Sequence, residues 1–267
     1  MKIILSRKGF DSENGGIASP ILPDGSMISL PIPSNDSVCF DDLKYEGKTY
    51  QKLIEELRFG KKQTIGNHCH LDPDIRKEIT KRPKEWKSIF GQCDAAETHL
   101  ENQGVKEGDL FLFFGWFKKT VEKNGNLSFV HGAKDIHIIY GYLQIGEIAK
   151  GRNVTKYSWH PHSAYPGGNN TMYIASDKLI INGVDMGVPG FGTLKYSEDL
   201  VLTYPGMSRT KWKLPEFFKE VPISYHKKDS FKPLGYFQSA HKGQEFVVGE
   251  SEKVTDWAKR IIKDNIN

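Results

Sequence analysis

Apolar positions along the chain follow two different periods. In "TYQKLIEELRFG" Tyr50, Leu53, Ile54 and Leu57 recur at helical spacing, and Gly60 can end the helix. "AAETHLENQG" predicts a second short helix that stops at Gly104. Val254, Trp257, Ala258, Ile261 and Ile262 form one apolar stripe, so "SEKVTDWAKRIIKD" predicts an amphipathic C-terminal helix with Ser251 as N-cap. Elsewhere the runs are unbroken. "GDLFLFFGWF" (108–117) and "DIHIIYGYLQIGEI" (135–148) are rich in aromatic and β-branched residues and predict central strands, with an Asn124-Gly125 turn between them.

Shorter signals fill in the rest. "MKIIL" predicts a first strand ending in the polar loop "SRKGFDSENGG", and "ILPDGSMISLPIP" predicts a hairpin about Pro-Asp-Gly. "TMYIAS" and "DKLIING" predict a strand pair, "LVLTYP" a strand and "KLPEFF" a short helix. Residues 183–192, "GVDMGVPGFG", predict a glycine-rich loop. The pattern implies one α+β domain over residues 1–267. Its core is a strand-rich mixed sheet or partly open barrel, flanked by short helices and the C-terminal amphipathic helix.

Composition narrows the class. Of 267 residues, 38% are hydrophobic and 26% charged, which excludes a disordered chain. The net charge of +4 permits contact with nucleic acid without demanding it. The densest basic stretch, "RKEITKRPKEWK" (76–87), reads as a solvated helix face ahead of a phosphate-binding patch. Three cysteines, Cys39, Cys69 and Cys93, match no zinc spacing. With no signal-like N-terminus and no run of about 20 apolar residues, the expectation is a cytoplasmic protein with no membrane partner.

Candidate chemistry gathers in four polar stretches. "HCHLDPD" places His68, His70, Asp72 and Asp74 at alternate positions, which share a face in an extended chain. Two imidazoles and two carboxylates would suit zinc, manganese or iron. The competing reading is a helix start, with Asp72 as N-cap before Pro73, and it is the one favoured for Asp72. "YSWHPHSAYPGGNN" holds His160 and His162 around Pro161, with Trp159 and Tyr165 able to stack on a base; the bland alternative is a surface turn. "SRKGFDS" follows the first strand, so Arg7, Lys8, Asp11 and Ser12 sit at a strand end, where phosphate or carboxylate ligands bind. "AHKGQEFVVGE" puts Gln244 and Glu245 at the start of a late strand, as acid, base or ribose ligand, or as an edge-strand glutamate facing water. No Walker motif or dinucleotide fingerprint is present, and nothing in the motifs selects a cofactor.

Taken in order, "SRKGFDS", "SPILPDG", "SLPIP", "HLDPDI", "GDLFLFFGWF", "YGYLQIGEI", "WHPH", "YIAS" and "GQEFVV" resemble the third type of nucleotide modification associated domain, over nearly the whole chain. The resemblance implies a setting among systems that modify nucleotides or bases, often in phages and bacteria, and carries no reaction with it. "EGDLFLFFGWF" with "HIIYGYLQIGEI" also looks like the strand pair of PUA-like barrels, which read RNA or modified bases. "GQEFVV" after a basic polar loop is similar in layout to DNA-directed ADP-ribosyltransferases, which would use NAD, with Glu245 at the reacting centre and Arg7 on the dinucleotide.

The resulting expectation is an enzyme acting on a nucleotide or on a base in nucleic acid, DNA ahead of RNA, in a modification or phage-defence setting. Glu245 or Asp11 would serve as acid or base, with His68 and His70 also catalytic. Arg7 and Lys8 would hold phosphate. Ser12, Asp72, His160, His162 and Gln244 would complete the substrate site. Alanine at Glu245 or Asp11 is then expected to abolish turnover and leave the thermal melt nearly unchanged. The rival is a PUA-like reader of modified bases without chemistry of its own.

Overall fold

Two long antiparallel strands form the spine of the molecule. The computed structural model describes every residue except 61–64, 166, 241–242 and 267. The segments at 157–170 and 240–250 are therefore described without Pro166 and without His241 and Lys242. In chain order the main elements are β1 (Ile3–Arg7), β2 (Ser19–Ile21), α1 (Tyr50–Leu57), β3 (Ile89–Cys93), α2 (Asp94–Asn102), β4 (Leu110–Lys123), β5 (Asn126–Phe129), β6 (Ile136–Lys150), β7 (Asn170–Ala175), β8 (Phe191–Thr193), β9 (Glu245–Val248) and α3 (Glu252–Lys263). The sheet runs β9-β1-β4-β6-β7-β3, with β2 and β5 on the flank of β4 and β8 on β6. β1 and β2 lie parallel to β4, and the other pairs are antiparallel. This is the expected α+β architecture with a large mixed sheet.

The unbroken apolar run of β4 has a direct cause. Both of its faces are covered, so no position needs a polar residue. Phe111 and Phe113 point to one side, where Phe90 lies 4.8 and 5.4 Å away, centroid to centroid. A bulge follows Phe113, and Phe114 then meets Trp212 and Phe246. The stripe of α3 is buried as its spacing predicts, with Trp257 edge-on to Phe218. Thr49 caps α1 by accepting the Lys52 N–H at 3.1 Å, while Ser251 makes no such bond at α3. No helix among the described residues is long and apolar enough to cross a membrane.

Four sequence expectations are corrected. "DPDIRKEI" does not open an α-helix. The Asp72–Pro73 peptide is cis, Asp72 caps nothing, and only a 3-10 turn forms, at Lys77–Ile79. The basic stretch 76–87 is accordingly not a helix face, and Arg82 is held by Asp74. "TMYIAS" pairs with β3 and β6, while Ile180–Ile181 pairs with Val184–Asp185 in a separate hairpin. "LVLTYP" makes only isolated bridges at Val201 and Thr203.

The sheet is rolled. β9 and β3 stand at opposite ends of the strand order, yet Gln92 Nε2 on β3 donates to Glu245 Oε1 on β9 at 2.7 Å. A side chain thus crosses the gap that a closed barrel would fill with a backbone ladder.

One buried histidine ties this core to pH. His137 Nδ1 accepts the Trp212 Nε1–H at 3.1 Å, so the ring must be neutral there. Burial, with Arg209 and Arg7 nearby, holds its pKa down to about 3. Between that value and the ordinary 6.5, the unfolded chain takes up a proton that the folded chain refuses, so stability falls as pH falls. The expected slope is about 1.4 kcal/mol per pH unit from this group over that window. His137→Asn keeps an acceptor and removes the titration. Urea midpoints from pH 7 to pH 4.5 should fall less steeply in that variant than in the wild type, and parallel slopes would refute the assignment.

Candidate functional site

The site forms along the outer side of β3. As an edge strand it leaves backbone groups without a ladder partner. Asp74 takes up part of this edge, exchanging backbone bonds with Ile89. Two residues earlier in the chain, the Asp72 carboxylate accepts the Gly91 N–H at 2.7 Å. His70 and Asp72 are two positions apart and point together, as alternate residues of an extended segment do. The neighbours in the quartet turn away. Asp74 binds Arg82 and the Trp86 indole, and His68 is exposed, its Nδ1 2.7 Å from the Asp36 carbonyl oxygen.

A second arm comes from the loop at 157–165. Pro161–Ala164 forms a 3-10 turn, and the His160 ring accepts the His162 N–H within it. The surface-turn reading fails, because His160 and His162 are 1% and 4% exposed. His160 Nε2 stands 3.3 Å behind Asp72 Oδ1. His162 reaches forward and its Nε2 lies 3.2 Å from His70 Nε2. The outer nitrogens are held as well: His70 Nδ1 by Asp36 Oδ2 and His162 Nδ1 by Asn170 Oδ1, each at 2.7 Å. One donor atom from each of His70, Asp72 and His162 lies within 4.8 Å of the others, a set able to hold a cation.

The electrostatics favour a neutral imidazole beside an ionised carboxylate. Burial drives His162 down to about 4 against the pull of Asp72. Burial alone would raise the Asp72 carboxyl, but His160, His162 and Lys8 outweigh it and hold the group at about 2. Burial also raises the Cys93 thiol, which makes that cavity-lining sulfur a poor nucleophile.

The third group lies across the seam of the rolled sheet. Lys8 Nζ is 2.9 Å from Glu245 Oε1, and their side chains are 9% and 1% exposed. Gln92 donates to the same oxygen, and Lys8 also sits 4.3 Å above the Phe90 ring. Glu245 Oε2 is buried with no hydrogen-bond partner among the described residues. The edge-strand position of Glu245 is therefore real, but it faces inward and not to water.

Between these groups lies a cavity of about 210 Å³. Of the residues singled out in the sequence, Arg7, Lys8, Asp11, His70, Asp72, His162 and Gln244 line it. Glu245 reaches it through Lys8, and His160 supports it from behind. Arg7 Nη2 donates to the Gly243 carbonyl at 3.0 Å, and the Gln244 carbonyl accepts the Arg7 N–H. Asp11 lies in the wall, but its Oδ1 accepts the Glu13 and Asn14 N–H groups of its own turn. Two candidates stand outside. His68 is exposed and lies in an isolated bridge with Cys39, and Ser12 is exposed and bound to Arg209 Nη2 at 2.5 Å. Trp159 packs on Tyr157 in a satellite core, whereas Tyr165 lines the cavity and lies along His162.

Sequence reasoning missed Asp36, Asn170, Gln92 and Gly91. Asp36 sits in a polar stretch with no pattern of its own, and Asn170 ends the histidine-bearing stretch 157–170 without having been singled out in it. Gly91 carried a usable signal, a glycine inside an apolar strand, which often marks close approach of another group. Here a Cβ would lie 2.3 Å from the His162 ring.

The family described as nucleotide modification associated domain 3 matches residues 2–249, which leaves α3 beyond the match. No curated protein and no solved structure matches the chain.

Proposed function

Because the chain belongs to the nucleotide modification associated domain 3 family, we propose that it is an enzyme that modifies a nucleotide, or a base within nucleic acid, at the cavity beside Lys8, His70 and Glu245. The observation that carries this reading is the convergence of residues 7–11, 70–72, 92, 162 and 244 on one small hollow, with Glu245 bound to the Lys8 that lines it. Structure alone gives no reason to bury a lysine, a glutamate and two histidines beside an opening, since each costs free energy in desolvation. Such concentrations mark sites of chemistry more often than sites of packing.

The size of the hollow supports entry of a group about as large as a base. At about 210 Å³ it lies below the roughly 300–1,000 Å³ of pockets that enclose drug-sized ligands. That favours a single nucleoside unit or a flipped base over a whole dinucleotide such as NAD. The buried Oε2 of Glu245, without a hydrogen-bond partner among the described residues, supports that residue as the acid or base of the reaction. Lys8, fixed by Glu245, presents positive charge to the same space for an anionic substrate. A second groove carries Lys227, Lys228 and Lys232, with Lys219 paired to Glu216, and Glu220 beside it, and its excess of lysines supports a polynucleotide partner through contacts to phosphate.

Expression in a bacterial host, followed by digestion of DNA, RNA and the nucleotide pool to nucleosides and mass spectrometry, tests this without prior choice of cofactor. A nucleoside of altered mass should accompany the wild type and vanish with Gln92→Ala and Glu245→Gln. Selective binding of modified oligonucleotides with no altered nucleoside in any fraction would instead favour a non-catalytic reader.

A further inference from the structure

We propose that His70, Asp72 and His162 bind one divalent first-row transition-metal ion at the wall of the cavity, with Asp36 and Asn170 as the residues that orient the two imidazoles. The argument rests on which nitrogen of each ring carries its proton. An ionised carboxylate only accepts, so at 2.7 Å from Asp36 Oδ2 the His70 Nδ1 must be the protonated nitrogen. Asn170 gives the same result for His162. Its Nδ2 donates to the His162 carbonyl oxygen at 2.8 Å, which fixes the amide orientation and puts Oδ1 against His162 Nδ1. With both rings neutral, each Nε2 carries a lone pair. The two face each other at 3.2 Å, a contact that is favourable only with a proton or a cation between them.

The distance matches a shared ion. Two nitrogens each about 2.1 Å from one metal stand roughly 3.0 Å apart at a right angle and roughly 3.4 Å apart at the tetrahedral angle. The observed separation falls between. Asp72 supplies the third donor and the negative charge, within 4.8 Å of both rings. Two imidazoles and one carboxylate suit Fe²⁺, Mn²⁺, Co²⁺ or Zn²⁺ over Mg²⁺ or Ca²⁺, which prefer oxygen alone. Histidine ligands whose far nitrogen is held by a carboxylate or carbonyl are the usual supporting arrangement of such sites. All three ligands line the cavity, so the positions that protein leaves open face the space where a substrate would lie.

The test uses the full chain, stripped with a chelator and titrated separately with Mn²⁺, Fe²⁺ without oxygen, Co²⁺, Zn²⁺ and Mg²⁺. One equivalent of at least one transition ion should bind at micromolar concentration or below, ahead of Mg²⁺, and Co²⁺ should develop visible absorption bands. His70→Gln should weaken binding at least about 100-fold, and Asp36→Asn and Asn170→Ala by about 10–100-fold. Asp36→Asn changes a part-exposed loop residue, so its result does not depend on the buried ring surviving substitution. Absence of 1:1 binding by every ion, or binding unchanged in His70→Gln, overturns the proposal. An altered nucleoside formed by a protein that binds no metal would overturn it while leaving the enzymatic reading intact.

Discussion

Replacing Glu245 by alanine should lower the unfolding free energy by about 3–5 kcal/mol, because it strands a charge that the fold has taken out of water. Lys8 is the charge in question. Its side chain is 9% exposed and its ammonium is 2.9 Å from Glu245 Oε1. The Phe90 ring beneath it contributes an attraction worth roughly 0.5–2 kcal/mol, too little to replace a carboxylate. Gln92 would also lose its acceptor. Position at the start of a late strand suggested a residue removable without effect on the melt, but the burial of the pair adds a stability term that position in the chain does not show. The cycle of Lys8→Met, Glu245→Gln and the double variant separates the two effects. The double variant should recover much of the stability lost by Glu245→Gln alone, since no unpaired charge remains, while any product of the reaction stays absent. If urea unfolding places Glu245→Ala within about 1 kcal/mol of the wild type, Lys8 is not held as an ion pair and the seam has been misread.

Gly91→Ala should act on the opposite wall, and through a single methyl group. The backbone at Gly91 lies outside the left-handed region, so alanine is acceptable to the strand itself. The obstacle is His162, whose ring carbons lie 2.3 Å from the new Cβ. That ring is rigid, 4% exposed and held at Nδ1 and through its own carbonyl by Asn170, so it must shift by about an ångström or push β3 aside. Overpacking of this kind costs about 1–3 kcal/mol. The larger loss falls on ligand binding: with Nε2 displaced from His70, metal affinity should drop by at least a factor of about 100. Gly91→Ala/His162→Ala should regain stability relative to Gly91→Ala, because the clash is gone. A double variant no more stable than the single one would mean that the methyl group is opposed by something other than the imidazole.

The parts of this molecule that sequence made legible are those governed by local periodicity. The helices at 50–57 and 252–263 follow from apolar residues three and four apart, and β4 and β6 from runs too apolar to be exposed on either face. The misreadings occur where tertiary contacts overrule a local rule. Aspartate before proline is a good helix start, yet Asp72 is taken by the Gly91 N–H and by two histidines from a distant loop. Strand β3 is five residues long with a glycine at its centre, so it gave little signal, although the site is built along it. The candidate residues were chosen one by one for their chemistry. That His70 and His162 meet across 92 positions of chain is a fact of sheet order, which no spacing in a single sequence encodes. The same holds for Asp36 and Asn170, which matter only through the nitrogen that each one holds.

The seam between β3 and β9 carries one more consequence. A barrel closed by backbone has a circumference fixed by strand number and stagger, and altering it means rebuilding the ladder. Here the last gap is spanned by Gln92 and Glu245, two side chains that can change length without disturbing any strand register. The width of the seam beside the cavity is therefore set by residue choice instead of topology. Members of one lineage could admit ligands of different girth while keeping an identical frame, and an engineer could do the same at position 92.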